Sequence, residues 1–183
     1  MIKQADKNNI NNISRLIYDA IHDIANTLTG EKEEKKILET LDLYVKMDIN
    51  RLSYKNIELE NENIALIIAY NSNDIKKLDF PILEHLKTKN IFLFFFEKEC
   101  FKDEFYIDTV SVLKDFQGNG IAKELFIFIE DKAKELGFKK ISLLVDFENL
   151  KALALYEKLG FEKNEILKVS GSNFYHMIKK LDF

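Results

Sequence analysis

The segment Gln117-Gly118-Asn119-Gly120-Ile121-Ala122 has the residue types and spacing with the clearest chemical meaning. Before it runs Tyr106-Ile107-Asp108-Thr109-Val110-Ser111-Val112, whose β-branched and aromatic residues read as a strand. After it Ile121, Leu125, Phe128, Ile129 and Leu136 recur at helical spacing. The spacing predicts one helix from about Gly118 to Leu136, stopped by Gly137. A glycine-rich turn between strand and helix binds anions. The first N–H groups of a helix have no internal partner, and the helix dipole adds positive potential there. Gly118 and Gly120 let a phosphate approach the backbone closely, and Gln117 can add a side-chain amide. Two familiar phosphate loops do not fit. A dinucleotide fingerprint counted from Gly118 needs Gly or Ala where Lys123 stands, and a Walker A loop needs Lys where Ile121 follows Gly120.

Other reactive residues are sparse. Glu104, Tyr106 and Asp108 share strand parity and are expected to face one side. Charged strand residues also occur at solvated edges and in ion pairs. The three histidines and the single cysteine have no ligand spacing, so no metal is implied. No Ser-His-Asp set presents itself. His176 could face a pocket from the last strand; a lone histidine is more often a packed one, as His22 and His85 also read.

A second block lies downstream. A short β run at 141–145 leads into Asn149-x-x-Ala152-x-x-Leu155-Tyr156-Glu157-Lys158-Leu159-Gly160-Phe161. With Gln117-x-x-Gly120-x-Ala122 it resembles the GCN5-related N-acetyltransferase (GNAT) superfamily. The blocks stand in family order with about the family gap. The close resemblance covers roughly 104–181; the N-terminal half is similar in element order only. It implies acetyl-CoA as co-substrate, with the pyrophosphate on Gln117, Gly118, Asn119, Gly120, Ile121 and Ala122. It places the main chain of Val110, Ser111 and Val112 beside the pantetheine arm, with a bulge that splays this strand from the next. Asn149 is expected to cap a helix and also to touch the cofactor. Tyr156 resembles the family's general acid for the departing thiolate. Asp108 and Glu104 are the candidates for a base, acting directly or through water.

The reaction implied is transfer of acetyl to a primary amine by direct attack in a ternary complex. The amine is a small molecule or a peptide; the sequence does not say which. A non-catalytic acyl-CoA-binding regulatory module is the alternative, and the presence of both Tyr156 and the strand acids favours the enzyme.

The rest of the chain must position these groups. It has 183 residues, enough for one domain with a sizeable core. The formal net charge of −4 argues against nucleic acid as a main partner. One cysteine permits no intrachain disulfide, and MIKQADKNNI has no apolar signal region, so a cytoplasmic protein is expected. The run at 91–96 is too short to cross a bilayer, so no membrane is expected. The periodicity predicts a strand at 2–5, a helix at about 10–26, a loop at 27–30 and a second helix around 37–45. Leu52 and Tyr54, with Ile57 nearby, suggest a strand, 58–62 a polar turn, and 64–70 a strand buried on both faces. Residues 75–103 read as an insertion, with a short interrupted helix having Pro81 near a start, and 91–97 a strand or helical segment. Strands at 140–146, 161–169 and 174–181, a helix at 149–158 and a turn at 170–173 complete the order. The fold expected is α/β (α+β), a mixed central sheet of about seven strands flanked by helices on both faces. The acceptor pocket is expected from 27–30, the insertion and 170–173. The apolar and aromatic content, with the family's habit of pairing, makes a homodimer the expectation.

Overall fold

The computed structural model describes residues 1–5, 12–21, 24–47, 57–60 and 63–182. In chain order these form β1 (Ile2–Gln4), α1 (Ile13–Ile21), α2 (Ala25–Thr29), α3 (Glu34–Met47), β2 (Ile57–Glu60), β3 (Ala65–Asn71), α4 (Ile75–Thr88), β4 (Phe105–Val112), α5 (Ile121–Glu135), β5 (Lys140–Asp146), α6 (Leu150–Lys158), β6 (Glu162–Val169) and β7 (Ser172–Lys180). The strands make one seven-stranded sheet in the order β1-β2-β3-β4-β5-β7-β6. Every neighbouring pair is antiparallel except β4 and β5, which are parallel.

β3 shows why the sheet is mixed and covered on both sides. Residues 65–70 are all buried. Leu66, Ile68 and Tyr70 join the core under α1, α2, α3 and α4, with Leu16, Leu41, Tyr44, Ile82 and Leu86. Ala65, Ile67 and Ala69 join the opposite core under α5, with Phe105, Ile107, Phe126, Ile129 and Met177. The strand alternates between two apolar layers, so both parities are apolar and no polar face remains. Each fully buried Leu, Ile or Phe contributes about 1.5–3 kcal/mol, which fixes the register of the strands that carry the site.

Several elements differ from the sequence expectation. Residues 58–60 belong to β2, not to a polar turn: Ile57-Glu58-Leu59-Glu60 alternates with period two and pairs with both β1 and β3. Leu52 and Tyr54 lie outside the described residues. Residues 27–29 are helical rather than a loop: they end α2, which Gly30 closes at φ 69°. A Cβ on Gly30 would come 2.7 Å from Ile91, so this helix end packs tightly on the segment after α4. α4 is one continuous helix with Pro81 inside it. Proline deprives the Lys77 carbonyl of its helical donor, and burial of Ile82 and Leu86 in the first core outweighs that loss. Residues 91–97 are neither strand nor helix. Ile91, Leu93 and Phe96 pack on the first core, whereas Phe92, Phe94 and Phe95 are exposed. The β6–β7 turn is two residues, Ser170 and Gly171, at φ 50° and 88°, so β7 begins at Ser172. Paired left-handed residues match the twist of a tight hairpin.

Candidate active site

The site is organised by a bulge in β4. Ile68 pairs with Thr109 and Ala69 with Ile107, which leaves Asp108 without an opposite residue. An extra residue bends the strand and inverts its parity. Phe105 and Ile107 face the α5 core, and beyond the bulge Val110 and Val112 face that same core. Pairing of β4 with β5 runs from Phe105↔Ile141 only to Ile107↔Leu143. β5 continues beside β7 as far as Asp146↔Phe174. From Asp108 to Val112, therefore, β4 has β3 on one edge and, among the described residues, no partner strand on the other. The bulge lies two residues before the Val110–Val112 main chain, and it opens the slot that this main chain lines.

The glycine-rich turn lies beyond the end of β4. Gly118 and Gly120 have φ 84° and 83°, and a Cβ at either would meet nothing within 4 Å. Glycine is needed there for the backbone conformation, and the space outside it is open. Those left-handed angles also delay the helix, which starts at Ile121 rather than Gly118. Its first internal bond runs from the Glu124 N–H to the Gly120 carbonyl at 3.2 Å. The N–H groups of Ile121, Ala122 and Lys123 thus precede the ladder, an arrangement that accepts anions. An open cradle of backbone N–H groups fits a pyrophosphate. Asn119 Nδ2 donates to the Phe116 carbonyl at 3.2 Å and stiffens the turn.

Gln117 is engaged within the protein. Its Nε2 donates to the Val112 carbonyl at 3.0 Å, and Lys151 Nζ donates to its Oε1 at 2.9 Å. Gln117 thereby ties the end of β4 to the turn and to α6. It also brings an ammonium group to the turn, a cation that sequence reasoning missed because an exposed helix lysine carries no pattern. Asn149 caps α6, its Oδ1 accepting from the Ala152 N–H at 3.1 Å. The cap uses the oxygen and leaves the Nδ2 donor for another partner.

Tyr156 lies on the α5 side of the sheet. Its ring packs against Phe126 at 5.5 Å and Phe161 at 6.1 Å. Its hydroxyl makes no hydrogen bond to a described residue, and burial pushes its pKa up to about 12. Asp108 lies toward the opposite face. The Tyr70 hydroxyl donates to its Oδ2 at 2.6 Å and the Thr109 hydroxyl to its Oδ1 at 2.9 Å. Tyr70 belongs to the first core and Tyr156 packs on the second, so Asp108 and Tyr156 lie toward opposite faces of the sheet.

Glu104 is placed differently from Asp108. It is 1% exposed, and its Oε2 accepts from the Phe101 N–H (2.9 Å) and the Ser142 hydroxyl (2.8 Å). His176 Nε2 lies 3.1 Å from the same oxygen and Lys140 Nζ 3.4 Å from Oε1. His176 is itself fully buried, with Asn164 Nδ2 at 3.3 Å from Nδ1 and the Phe101 ring at 4.8 Å. The tautomer satisfying both contacts carries its proton on Nε2 and donates to Glu104. The network joins β4, β5 and β7 at the root of the slot. Burial raises the Glu104 pKa more than any other single influence, yet the hydrogen bonds of His176, Phe101 and Ser142 together hold it below its ordinary 4.5. A depressed carboxylate stabilises the fold above its unfolded pKa, and the contribution is lost as pH falls through the folded value. Glu104→Gln is expected to lower stability at pH 7 by about 1–3 kcal/mol. It should also flatten the loss of stability below pH 4.5. Urea denaturation at a series of pH values checks both; an unchanged acid slope would remove the linkage.

Cavities among the described residues lie on either side of the sheet, two of them with defined linings. The larger, about 490 Å³, lies between Phe105, Asn71 and the end of α5 at Lys132 and Leu136, at the opposite end of β4 from the glycine turn. The smaller, about 290 Å³, lies on the Asp108 side. It is lined by Thr27 and Leu28 of α2, by Leu93, Phe96 and Glu99 of the segment after α4, and by Val169 and Ser170 at the hairpin. These are the three regions from which an acceptor pocket is expected. Glu99 is 6% exposed and accepts from the Tyr106 hydroxyl at 3.0 Å. Sequence reasoning passed over it, since a glutamate in an irregular segment gives no periodic signal. His85 packs edge-on against Tyr44, and His22 lies outside the described residues. Among the described residues no helix is long and apolar enough to cross a membrane, and no cluster of three or more His, Cys, Asp or Glu could hold a metal ion.

A mixed sheet whose one parallel pair splays at a bulge, opening beside a glycine turn at a helix N-terminus, defines an acyl-CoA transferase architecture. Residues 19–161 match the family described as Acetyltransferase (GNAT) family, and the chain belongs to that family. GNAT acetyltransferases use acetyl-CoA and act on amines. The uncharacterised N-acetyltransferase YycN of Bacillus subtilis is 30% identical over 71 residues, 39% of this chain and 46% of that protein. YjgM of Escherichia coli, also an uncharacterised N-acetyltransferase, is 42% identical over 56 residues, 31% of this chain and 34% of that protein. The chain thus spans less than half the length of either relative. Among solved structures, an N-acetyltransferase from Staphylococcus aureus Mu50 superimposes with a TM-score of 0.82 at 27% identity, over 97% of this chain and 99% of that one.

Proposed function

We propose that this chain is an N-acetyltransferase that moves acetyl from acetyl-CoA to a primary amine by direct attack in a ternary complex. The observation that carries the reading is the open edge of β4 from Asp108 to Val112, continuous with the glycine turn. Acetyl-CoA, when bound, supplies an acetyl group activated as a thioester. The N–H groups from Gly118 to Ala122 hold the pyrophosphate, with Lys151 adding charge. The main chain of Val110, Ser111 and Val112 holds the pantetheine arm as a strand would. An N–H on that edge stabilises the charge developing on the carbonyl oxygen. Asp108 takes the proton of the attacking amine, directly or through water, which is needed because a free primary amine is mostly protonated at neutral pH. Tyr156 meets the leaving thiolate from the other face. With base and acid on opposite sides, one takes the proton as the amine adds to the carbonyl carbon and the other meets the thiolate as the C–S bond breaks. In this reading Glu104 is a positioning residue that anchors the root of the slot.

The experiment is an amine panel with acetyl-CoA, followed by free thiol release, beside calorimetry of acetyl-CoA alone. Thiol release dependent on one class of amine is expected. Tight acetyl-CoA binding without turnover on any amine would replace the enzyme with a regulatory acyl-CoA-binding module.

A further inference from the structure

The 290 Å³ cavity has a composition that selects among amines. Its walls are apolar: Ile24 and Leu28, Leu93 and Phe96, and Val169. Two carboxylates line it, Glu97 and Glu99, and no Lys, Arg or His is among the described residues that do. The carboxylates sit at different depths. Glu99 is buried against the Tyr106 hydroxyl. Glu97 is at the exposed mouth, where it accepts a hydrogen bond from the Ser170 N–H and closes the hairpin onto the segment after α4. A carboxylate beside apolar walls attracts a cation more strongly than one in water does. Packed side chains join the wall of the cavity to the bulge in β4. The Tyr106 ring meets the Tyr70 ring edge-on at 5.7 Å, and the Tyr70 hydroxyl holds Asp108 at the bulge.

We infer that this cavity takes a primary amine carried on an apolar, uncharged body, with Glu99 receiving the ammonium group and both carboxylates excluding acceptors that bear a carboxylate of their own. The inference rests on the amine-acetylating reading above and narrows its substrate class. An amino acid would bring its carboxylate toward Glu97 and Glu99 with no cation on the described lining to meet it, and like charges at close quarters cost affinity. Apolar walls favour an alkyl or aromatic body over a hydroxylated or polycationic one.

The test uses binding, so that it stands apart from turnover. 2-Phenylethylamine is titrated calorimetrically into the full chain saturated with CoA, and phenylalanine, the same amine with a carboxylate added, is titrated in parallel. Phenylalanine is expected to bind at least about tenfold more weakly. Glu99→Gln should weaken 2-phenylethylamine about tenfold and leave phenylalanine no worse. Thr27→Trp, at an exposed position of the cavity wall, should weaken both amines. It keeps the test open if Glu99→Gln does not fold. Unchanged CoA affinity reports an intact fold in either variant. The inference is overturned if 2-phenylethylamine does not bind, if phenylalanine binds as tightly, or if a folded Glu99→Gln variant binds 2-phenylethylamine as the wild type does. Binding of 2-phenylethylamine with no acetylation of any amine in the panel would sink the transferase reading and leave the cavity assignment standing. Acetylation of amino acids alone would do the reverse.

Discussion

Gly120→Glu is expected to lower acetyl-CoA affinity by at least about 10²-fold, and Gly120→Ala by much less. Both substitutions force a side chain onto a backbone at φ 83°. That conformation costs an L-residue about 1–2 kcal/mol, so both variants lose some stability. Neither meets a neighbour at Cβ, since the space beyond Gly120 is open. The difference between them is then the carboxylate. Glutamate would hold a negative charge at the mouth of the α5 N-terminus, where a pyrophosphate is to sit. Like charges brought together cost several kcal/mol, and each 1.4 kcal/mol is tenfold in affinity, which gives the estimate of about 10²-fold or more. Calorimetry with acetyl-CoA on the wild type and both variants makes the comparison, and thermal melts show that both are folded. If alanine costs as much as glutamate, the conformation of the turn decides affinity and the charge does not. Wild-type affinity in the glutamate variant would place the phosphates elsewhere.

The glycine turn was legible in the sequence because it is local. Two left-handed residues, a helix start and the strand before it all fall within twenty positions, and each has its own residue preference. The Asn149 cap and the two-sided burial of β3 were legible for the same reason. Pro81 misled because the burial of Ile82 and Leu86 is a tertiary effect that no local rule contains. Glu104 and Asp108 show the limit most clearly. Strand parity put both on one face, and it could not tell a buried carboxylate from one at the slot. The difference is made by His176, seventy-two positions away in sequence, and by the single-residue bulge at Asp108. Tyr70, Lys151 and Glu99 were missed alike. Their roles come from partners that only the folded sheet brings near: the Asp108 carboxylate, Gln117, and the cavity under the hairpin.

Tyr156→Phe is expected to lower kcat by about 10–10²-fold while leaving acetyl-CoA affinity and acceptor KM almost unchanged. The ring is what packs against Phe126 and Phe161, and phenylalanine keeps it. What is lost is one hydroxyl that no described residue uses, so the loss appears only as the thiolate forms. The high hydroxyl pKa refines the role. With the phenol at about 12 and a thiol near ~8.5, full proton transfer to the thiolate runs uphill. In the proposed mechanism the hydroxyl would then act mainly by donating a hydrogen bond to the developing negative charge. Hydrogen bonds to charged groups contribute about 1.5–3 kcal/mol, which corresponds to the 10–10²-fold range. The same pKa sets the pH dependence. A limb caused by phenol ionisation would appear only near pH 12. Over the ordinary assay range the wild-type and variant profiles should run parallel, displaced by a constant factor. A high-pH limb in that range that disappears in the variant would mean that a bound ligand lowers the phenol pKa, and true acid catalysis would replace the hydrogen-bond account. Equal turnover numbers would reduce Tyr156 to packing, with the thiolate leaving unaided or through water.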